Sequence, residues 1–217
     1  MTARLSVYLG TSYRRRLIDA DLEAIKERFA GRVLDIGGGR RRGSFQAPDG
    51  ARWVVADMSR AGCPHVCADV QALPFRDAAF DALKITEVLE HVPDTAAALR
   101  ECCRVLRPGG RLVATAPFLE RLHGDPHDYV RYTDAMWRRL LAESGLTADS
   151  VTPQGGYFTQ LAGMLRFLVQ QAPIGLRHAG YVLFPLLDLL ARIDRLARVR
   201  HSALASFVGG YLIMAKR

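Results

Sequence analysis

Lysine is almost missing from this chain of 217 residues: among thirty basic side chains only Lys26, Lys84 and Lys216 are lysines. The formal net charge of +8 is therefore an arginine charge. Arginine and alanine recur from end to end, a bias that base composition alone can impose, so the charge by itself does not name an anionic partner. Its placement says more, because residues 151–217 hold eight basic side chains against only Asp188 and Asp194. Cysteine is scarce as well. Cys63, Cys67, Cys102 and Cys103 provide neither a disulfide framework nor a paired zinc-knuckle spacing, which suits a reduced, cytoplasmic interior. Cys63-Pro64-His65-Val66-Cys67 offers soft ligands, but no second cluster completes a tetrahedral set, and no metal site is expected. Behind Arg4 and Tyr13-Arg14-Arg15-Arg16 there is no apolar stretch with a small-residue cleavage site, so export is not expected. The aromatic residues, 8% of the chain, do not interleave with the arginines as a base-stacking platform requires, which disfavours nucleic acid.

The composition is otherwise that of a folded globular protein, with 49% apolar and 24% charged residues and no repeat or low-complexity linker. The length suits a single domain, 1–217. Residues 17–29 place Leu17, Ile18, Leu22, Ile25 and Phe29 at helical spacing. Arg32-Val33-Leu34-Asp35-Ile36 is a short apolar strand running into Gly37-Gly38-Gly39. Trp53 to Ala56 and His65 to Ala68 are two further strands, each finishing on a carboxylate, Asp57 and Asp69. Phe80 to Ile85 is a fourth strand, and a helix follows from about Asp94 to Leu106, ended by a turn at Arg107-Pro108-Gly109-Gly110. Arg111 to Ala116 is a fifth strand, Thr133 to Ser144 a helix, and Phe207 to Met214 suits a last strand. Alternating strands and helices predict an α/β fold, doubly wound and Rossmann-like, with a mostly parallel sheet carrying helices on both faces.

In such a sheet a ligand sits beyond the carboxyl ends of the strands. Glycines after the first strand let the backbone approach it, and Asp57, 22 positions after Asp35, stands where an acidic group can bind ribose hydroxyls. This geometry fits a dinucleotide or an adenosyl cofactor. A dinucleotide fingerprint would want a third glycine at Arg42, and a carboxylate at Asp35 would repel a pyrophosphate.

Val33-Leu34-Asp35-Ile36-Gly37-Gly38-Gly39 resembles the first motif of class I methyltransferases. Asp69-Val70-Gln71-Ala72-Leu73-Pro74-Phe75, Phe80-Asp81-Ala82, Glu87-Val88-Leu89-Glu90-His91-Val92 and Leu106-Arg107-Pro108-Gly109-Gly110-Arg111-Leu112 follow in that family's order and approximate spacing, over roughly residues 30–150. The resemblance implies S-adenosyl-L-methionine as the cofactor. It puts Asp35 and the backbone of Gly37 and Gly39 near the methionine moiety, and Asp57 on the ribose with Met58 beside it. Asp69 and Val70 go around the adenine, and Thr86 and Glu87 on the methionine side. One departure is Arg41, where the family often has a third glycine; here Gly43 comes only later.

Methyl transfer from a sulfonium has an activated leaving group, so the protein must chiefly align donor and acceptor and exclude water. A hydroxyl acceptor would gain from a general base. The polar loop Leu122-His123-Gly124-Asp125-Pro126-His127-Asp128-Tyr129-Val130-Arg131-Tyr132 supplies the candidate catalytic residues His123, His127 and Tyr129. Arg131 is a candidate holder of an anionic substrate group, or else part of an anchor with Asp128 and Tyr129. His91 is expected to cap or pack beneath the pocket rather than catalyse. The loop resembles the corresponding segment of bacterial methyltransferases associated with glycan or envelope biosynthesis, which implies a small or lipid-linked acceptor.

The apolar segment 155–200 is expected to be a helical insertion or lid before the last strand. Leu183, Leu186, Leu187, Leu190, Ile193 and Leu196 make one apolar stripe, with Asp188, Arg192, Arg195 and Arg198 largely off it. Its uninterrupted apolar run is too short to span a bilayer. The stripe suits a cover over the sheet or site, a homodimer interface, or peripheral contact of residues 181–200 with the inner face of an anionic membrane. The alternative to an enzyme is a non-catalytic protein that keeps adenosylmethionine as a regulatory or structural ligand.

Overall fold

The computed structural model describes residues 3–39, 45–124 and 127–217. Arg41, Arg42 and Gly43 after the glycine turn, and Asp125 and Pro126 of the polar loop, lie outside the described residues. The contacts form two compact units: Ile18–Thr152 with Tyr211–Arg217, and Met1–Leu17 with Pro153–Gly210. The expected insertion, 155–200, falls in the second.

The first unit is built on the sheet. β1 (Arg32–Ile36) pairs parallel with β2 (Arg52–Asp57) on one side and with β4 (Phe80–Thr86) on the other. β3 (Val66–Cys67) extends the sheet beyond β2, and β5 (Leu106–Pro117) pairs parallel with β4. With β6 (Thr147–Gln154) and β7 (Gly210–Lys216) the order is β3-β2-β1-β4-β5-β7-β6, so strand order reverses at β1. In a parallel sheet that reversal opens a crevice at the carboxyl ends of β1 and β4.

Alternation along the strands fills both faces. Val33, Ala82, Val113 and Leu212 pack with Ile18, Leu22 and Phe29 into one cluster, edged by Phe45 and Trp53. Leu34, Leu83, Ile85 and Leu112, on the other side of the pleat, are also buried. α3 (Thr95–Val105) starts under Asp94, whose side chain accepts from Ala97 N, and α4 (Asp134–Glu143) under Thr133, which accepts from Met136 N. The Arg107-Pro108-Gly109-Gly110 segment, expected to be a turn, is drawn into β5 instead. It makes a register shift opposite Phe80 and Ala82, with Gly109 at φ +76°. β6 is a strand that the sequence pattern did not reveal.

The second unit holds α1 (Ala3–Gly10), the start of α2 (Tyr13–Ala24), α5 (Tyr157–Gln171), α6 (Ile174–Gly180), α7 (Phe184–Arg192) and α8 (Ala197–Arg200). Its small core is Leu9, Ala162, Phe184 and Leu187. Beside it, Asp188 accepts hydrogen bonds from the hydroxyls of Tyr8 and Tyr13, 2.6 Å each, and pairs with Arg16 at 3.1 Å. Here the single expected stripe is corrected. Phe184 and Leu187 point inward, whereas Leu183, Leu186 and Leu189 stand exposed, so α7 is apolar on both sides.

Candidate functional site

The glycine turn is shaped by what lies against it. Gly37, at φ +72°, follows β1, and its N–H donates to Ala56 O at 2.8 Å; a Cβ there would come within 2.2 Å of Val88 Cγ2. A Cβ on Gly38 would lie 2.3 Å from the Asp35 carboxyl carbon. The Asp35 side chain thus occupies the crook of the turn. It is held there by Lys84, whose Nζ donates to Oδ1 at 2.8 Å and also lies 3.4 Å from Thr86 Oγ1. Sheet register makes the pair: Asp35 lies opposite Lys84 across β1 and β4. Asp35, Gly37, Gly39 and Thr86 line a cavity of about 220 Å³ together with Lys84 and Trp53.

A larger cavity, about 570 Å³, opens beyond the strand ends and has the size of a small-molecule site. Gly37, Asp57, Met58, Asp69, Val70 and Glu87 line it, so six of the nine expected cofactor residues meet there. Ser59, Gln71 and Val88, not singled out from the sequence, join them. Asp57 Oδ1 accepts from Ser59 N at 2.8 Å, and Asp69 Oδ1 accepts from Gln71 N at 2.9 Å. Glu87 sits at φ +54°, a conformation that costs a non-glycine residue about 1–2 kcal/mol. Two bonds to β5 hold it: its N–H donates to Thr115 O at 3.0 Å, and Thr115 Oγ1 donates to its carboxylate at 2.9 Å. Backbone strain of this kind gathers at functional sites.

The polar loop closes the other side. His127, Tyr129 and Gly124 line the same cavity, as does His91. His123 does not line it but stacks edge-on against His91, ring centroids 5.0 Å apart. The Tyr129 N–H donates to Glu90 O at 2.8 Å, tying the loop to the turn after β4. His91 Nδ1 lies 2.5 Å from the His127 carbonyl; donation there leaves the lone pair on Nε2, 3.7 Å from Glu90 Oε1. One ligand atom each from Glu90, His91 and His123 falls within 4.8 Å of the others, a donor set that can move a proton or take a divalent cation. His91, expected only to cap or pack, is therefore the residue that joins this cluster to the cavity.

Arg131 is committed inside the protein. Its two terminal nitrogens donate to the two oxygens of Asp128, the second at 2.6 Å, and Asp128 also accepts from His123 N at 3.1 Å. Of the two roles weighed for Arg131, the geometry gives the loop anchor. The hydrogen bonds from Arg131 hold the Asp128 carboxyl below its ordinary pKa although burial pushes the other way. A carboxylate with a depressed folded-state pKa adds stability that is full above its unfolded pKa, about 3.9, and lost as pH falls through the folded value. Thermal melts at pH 7 and pH 3 are expected to show Asp128→Asn well below wild type at the first pH and a narrower gap at the second. An equal gap at both would contradict the assignment.

Residues 34–114 match the family described as a methyltransferase domain. This segment, 81 of the 217 residues, is similar to that family. Its boundaries run from β1 through β5, and with them come the glycine turn and every cavity-lining strand end described above. The demethylmenaquinone methyltransferase of Mycolicibacterium gilvum is 40% identical over 103 residues, which is 43% of this chain and 45% of that protein. The chain spans about half the length of the curated relatives it matches. Among solved structures, the [4+2]-cyclase SpnF aligns over 96% of this chain and 84% of its own, with TM-score 0.59 and 20% identity. Geranyl diphosphate C-methyltransferase of Streptomyces coelicolor aligns over 93% of this chain and 81% of its own, with TM-score 0.58 and 17% identity. Both likenesses show a Rossmann-like fold.

Proposed function

We propose that the chain is an S-adenosylmethionine-dependent methyltransferase acting on a small or lipid-linked acceptor by direct displacement at the methyl carbon. One observation carries the proposal: the strand-end residues Gly37, Asp57, Asp69 and Glu87 share a single cavity with the loop residues His127 and Tyr129. Cofactor-side and acceptor-side groups thus face one another across a space that a bound pair would fill. The carboxylates suit a ligand carrying an amine and a sulfonium better than one carrying a pyrophosphate. Asp57 and Asp69 would take the ribose and adenine ends, and the turn at Gly37 the methionine end. With the leaving group already activated, the work of the chain is alignment and water exclusion. A proton leaving a hydroxyl acceptor would pass to the His91, His123 and Glu90 group or to His127.

The demethylmenaquinone methyltransferase relatives make a demethylmenaquinone the first acceptor to try, with a lipid-linked glycan as the second. Calorimetric titration with adenosylmethionine, adenosylhomocysteine and NADH is expected to give micromolar binding of the first two and none of the third. Absence of adenosylmethionine binding would sink the proposal. A second reading is a protein that keeps the ligand in a regulatory or structural role without transferring its methyl group. The two readings separate on His123→Ala, His127→Ala and Tyr129→Phe. An enzyme loses at least tenfold in labelled-methyl transfer with one of them while adenosylmethionine affinity holds, and a non-transferring protein shows no transfer to lose.

A further inference from the structure

The second unit, Met1–Leu17 with Pro153–Gly210, has an outer surface unlike that of a water-facing helical layer. Fourteen of the eighteen large hydrophobic side chains that stand exposed among the described residues belong to it. Val182, Leu186 and Leu189 are 76%, 62% and 61% exposed, and their spacing of four and three lines them along one side of the helix. The opposite side is apolar too, carrying Phe184 and Leu187 into the unit's core. Large apolar side chains gathered on one exposed face mark a contact with another surface. Ile174 to Arg195 is a helical run of 22 residues, long and apolar enough by length and composition to cross a membrane, and little of it is buried. The helical run is longer than its uninterrupted apolar segment, because α6, the turn at Tyr181–Leu183 and α7 follow one another without an extended break.

Charge gathers in the same unit. Its ten arginines face only Asp188 and Asp194, which amounts to the whole formal charge of +8, while the twenty basic residues of the other unit are matched by twenty acidic ones. Arg192, Arg195, Arg198 and Arg200 are exposed and follow directly on the outward leucines. Apolar side chains followed by exposed arginines fit an anionic bilayer surface: the leucines reach the acyl boundary and the guanidinium groups bind headgroup phosphates.

We propose that this unit docks onto an anionic membrane, with α7 lying in the plane of the interface and Val182, Leu186 and Leu189 turned into the lipid. The polar network on the inner side decides for lying rather than crossing. Asp188, in the middle of the run, accepts from Tyr8 and Tyr13 and pairs with Arg16, so one side of the helix is fastened to charged protein at mid-length. That network would have to enter the hydrocarbon if the segment spanned. The proposal does not depend on the methyltransferase reading.

The full-length chain is mixed with vesicles of equal phosphatidylglycerol and phosphatidylcholine, or of phosphatidylcholine alone, and the bound fraction is measured by sedimentation. Binding to the anionic vesicles is expected, at least tenfold weaker on the neutral ones and weakened by salt. Arg195→Gln with Arg198→Gln is expected to lower it about 25-fold, from roughly 1 kcal/mol per arginine near the surface. Leu186→Asp with Leu189→Asp abolishes it; both side chains are exposed, so the circular dichroism and adenosylmethionine affinity of this variant stay unchanged. Failure of vesicle binding with intact cofactor binding therefore overturns the docking alone. Equal binding to neutral vesicles overturns it as well, as does undiminished binding by the aspartate variant. A stable dimer in vesicle-free buffer that the aspartate variant splits, without vesicle binding by wild type, would make the face a self-interface and also overturn it.

Discussion

Lys84→Met is expected to lower the stability of the fold by about 3 kcal/mol, the low end of the cost of removing one partner of a buried ion pair. The pair qualifies as buried: the Lys84 and Asp35 side chains are 9% and 14% exposed. It stands at the low end because both residues line the smaller cavity, where solvent or a bound group can partly compensate. Methionine keeps the unbranched stem of lysine, so the packing of β4 is largely preserved and the change isolates the charge. What remains is the Asp35 carboxylate in the crook of the glycine turn without its ammonium. Adding Asp35→Asn removes that charge and is expected to restore roughly 2 kcal/mol, a coupling that urea melts of the four-member cycle read directly. In thermal melts the single variant should fall by about 6–12 °C. Adenosylmethionine affinity should weaken with it, because the turn that faces the cavity rests on this carboxylate. A Lys84→Met protein within about 1 kcal/mol of wild type would show that the pair is not what holds the turn.

Neither member of that pair signals its partner in the linear order. Asp35 looks like a ligand-binding carboxylate at a strand end, and Lys84 is, with Asp81, one of two charged residues in the strand run Phe80 to Ile85. Only the parallel register of β1 on β4 puts them opposite each other. The strands were legible because short apolar runs ending on glycine or aspartate have few other uses. Strand pairing between residues 49 positions apart has no such local mark. β6 escaped for a related reason: Thr147-Ala148-Asp149-Ser150-Val151-Thr152-Pro153-Gln154 buries only Val151 and Gln154, so no apolar alternation announces it. Arg107-Pro108-Gly109-Gly110 has the composition of a turn, yet backbone pairing with β4 stretches it into β5. In α7 the pattern showed one apolar stripe, since periodicity registers apolar positions without distinguishing those that meet protein from those that meet solvent. The candidate site followed more closely. Its carboxylates sit at strand ends, where chain order alone brings them to the crevice, while the loop contributions of Ser59, Gln71 and His91 needed the folded chain.

Asp57→Ala is expected to weaken adenosylmethionine and adenosylhomocysteine binding alike, by about a hundredfold or more, since the two ligands share the ribose and differ only at sulfur. Asp57 closes β2 beside the larger cavity, and Ser59 N occupies one lone pair of its Oδ1. A carboxylate has about four acceptor positions, so enough remain for two ribose hydroxyls. Hydrogen bonds to a charged acceptor contribute about 1.5–3 kcal/mol each, and losing two costs at least about 3 kcal/mol, somewhat more than two decades in affinity. Asp57→Asn keeps an accepting oxygen and loses the charge, and should fall only about tenfold. The alanine variant also gives up the bond to Ser59 N, a turn contact that costs about 1 kcal/mol of stability. A melt distinguishes that loss from ligand affinity, because a structural role alone would lower the melting temperature and leave binding within a few-fold of wild type at a temperature where the variant is folded. Unchanged calorimetric affinity in a folded Asp57→Ala protein would remove Asp57 from the cofactor site. A parallel hundredfold loss for both ligands would fix the ribose at the end of β2, and with it the direction in which the methyl group points toward His127 and Tyr129.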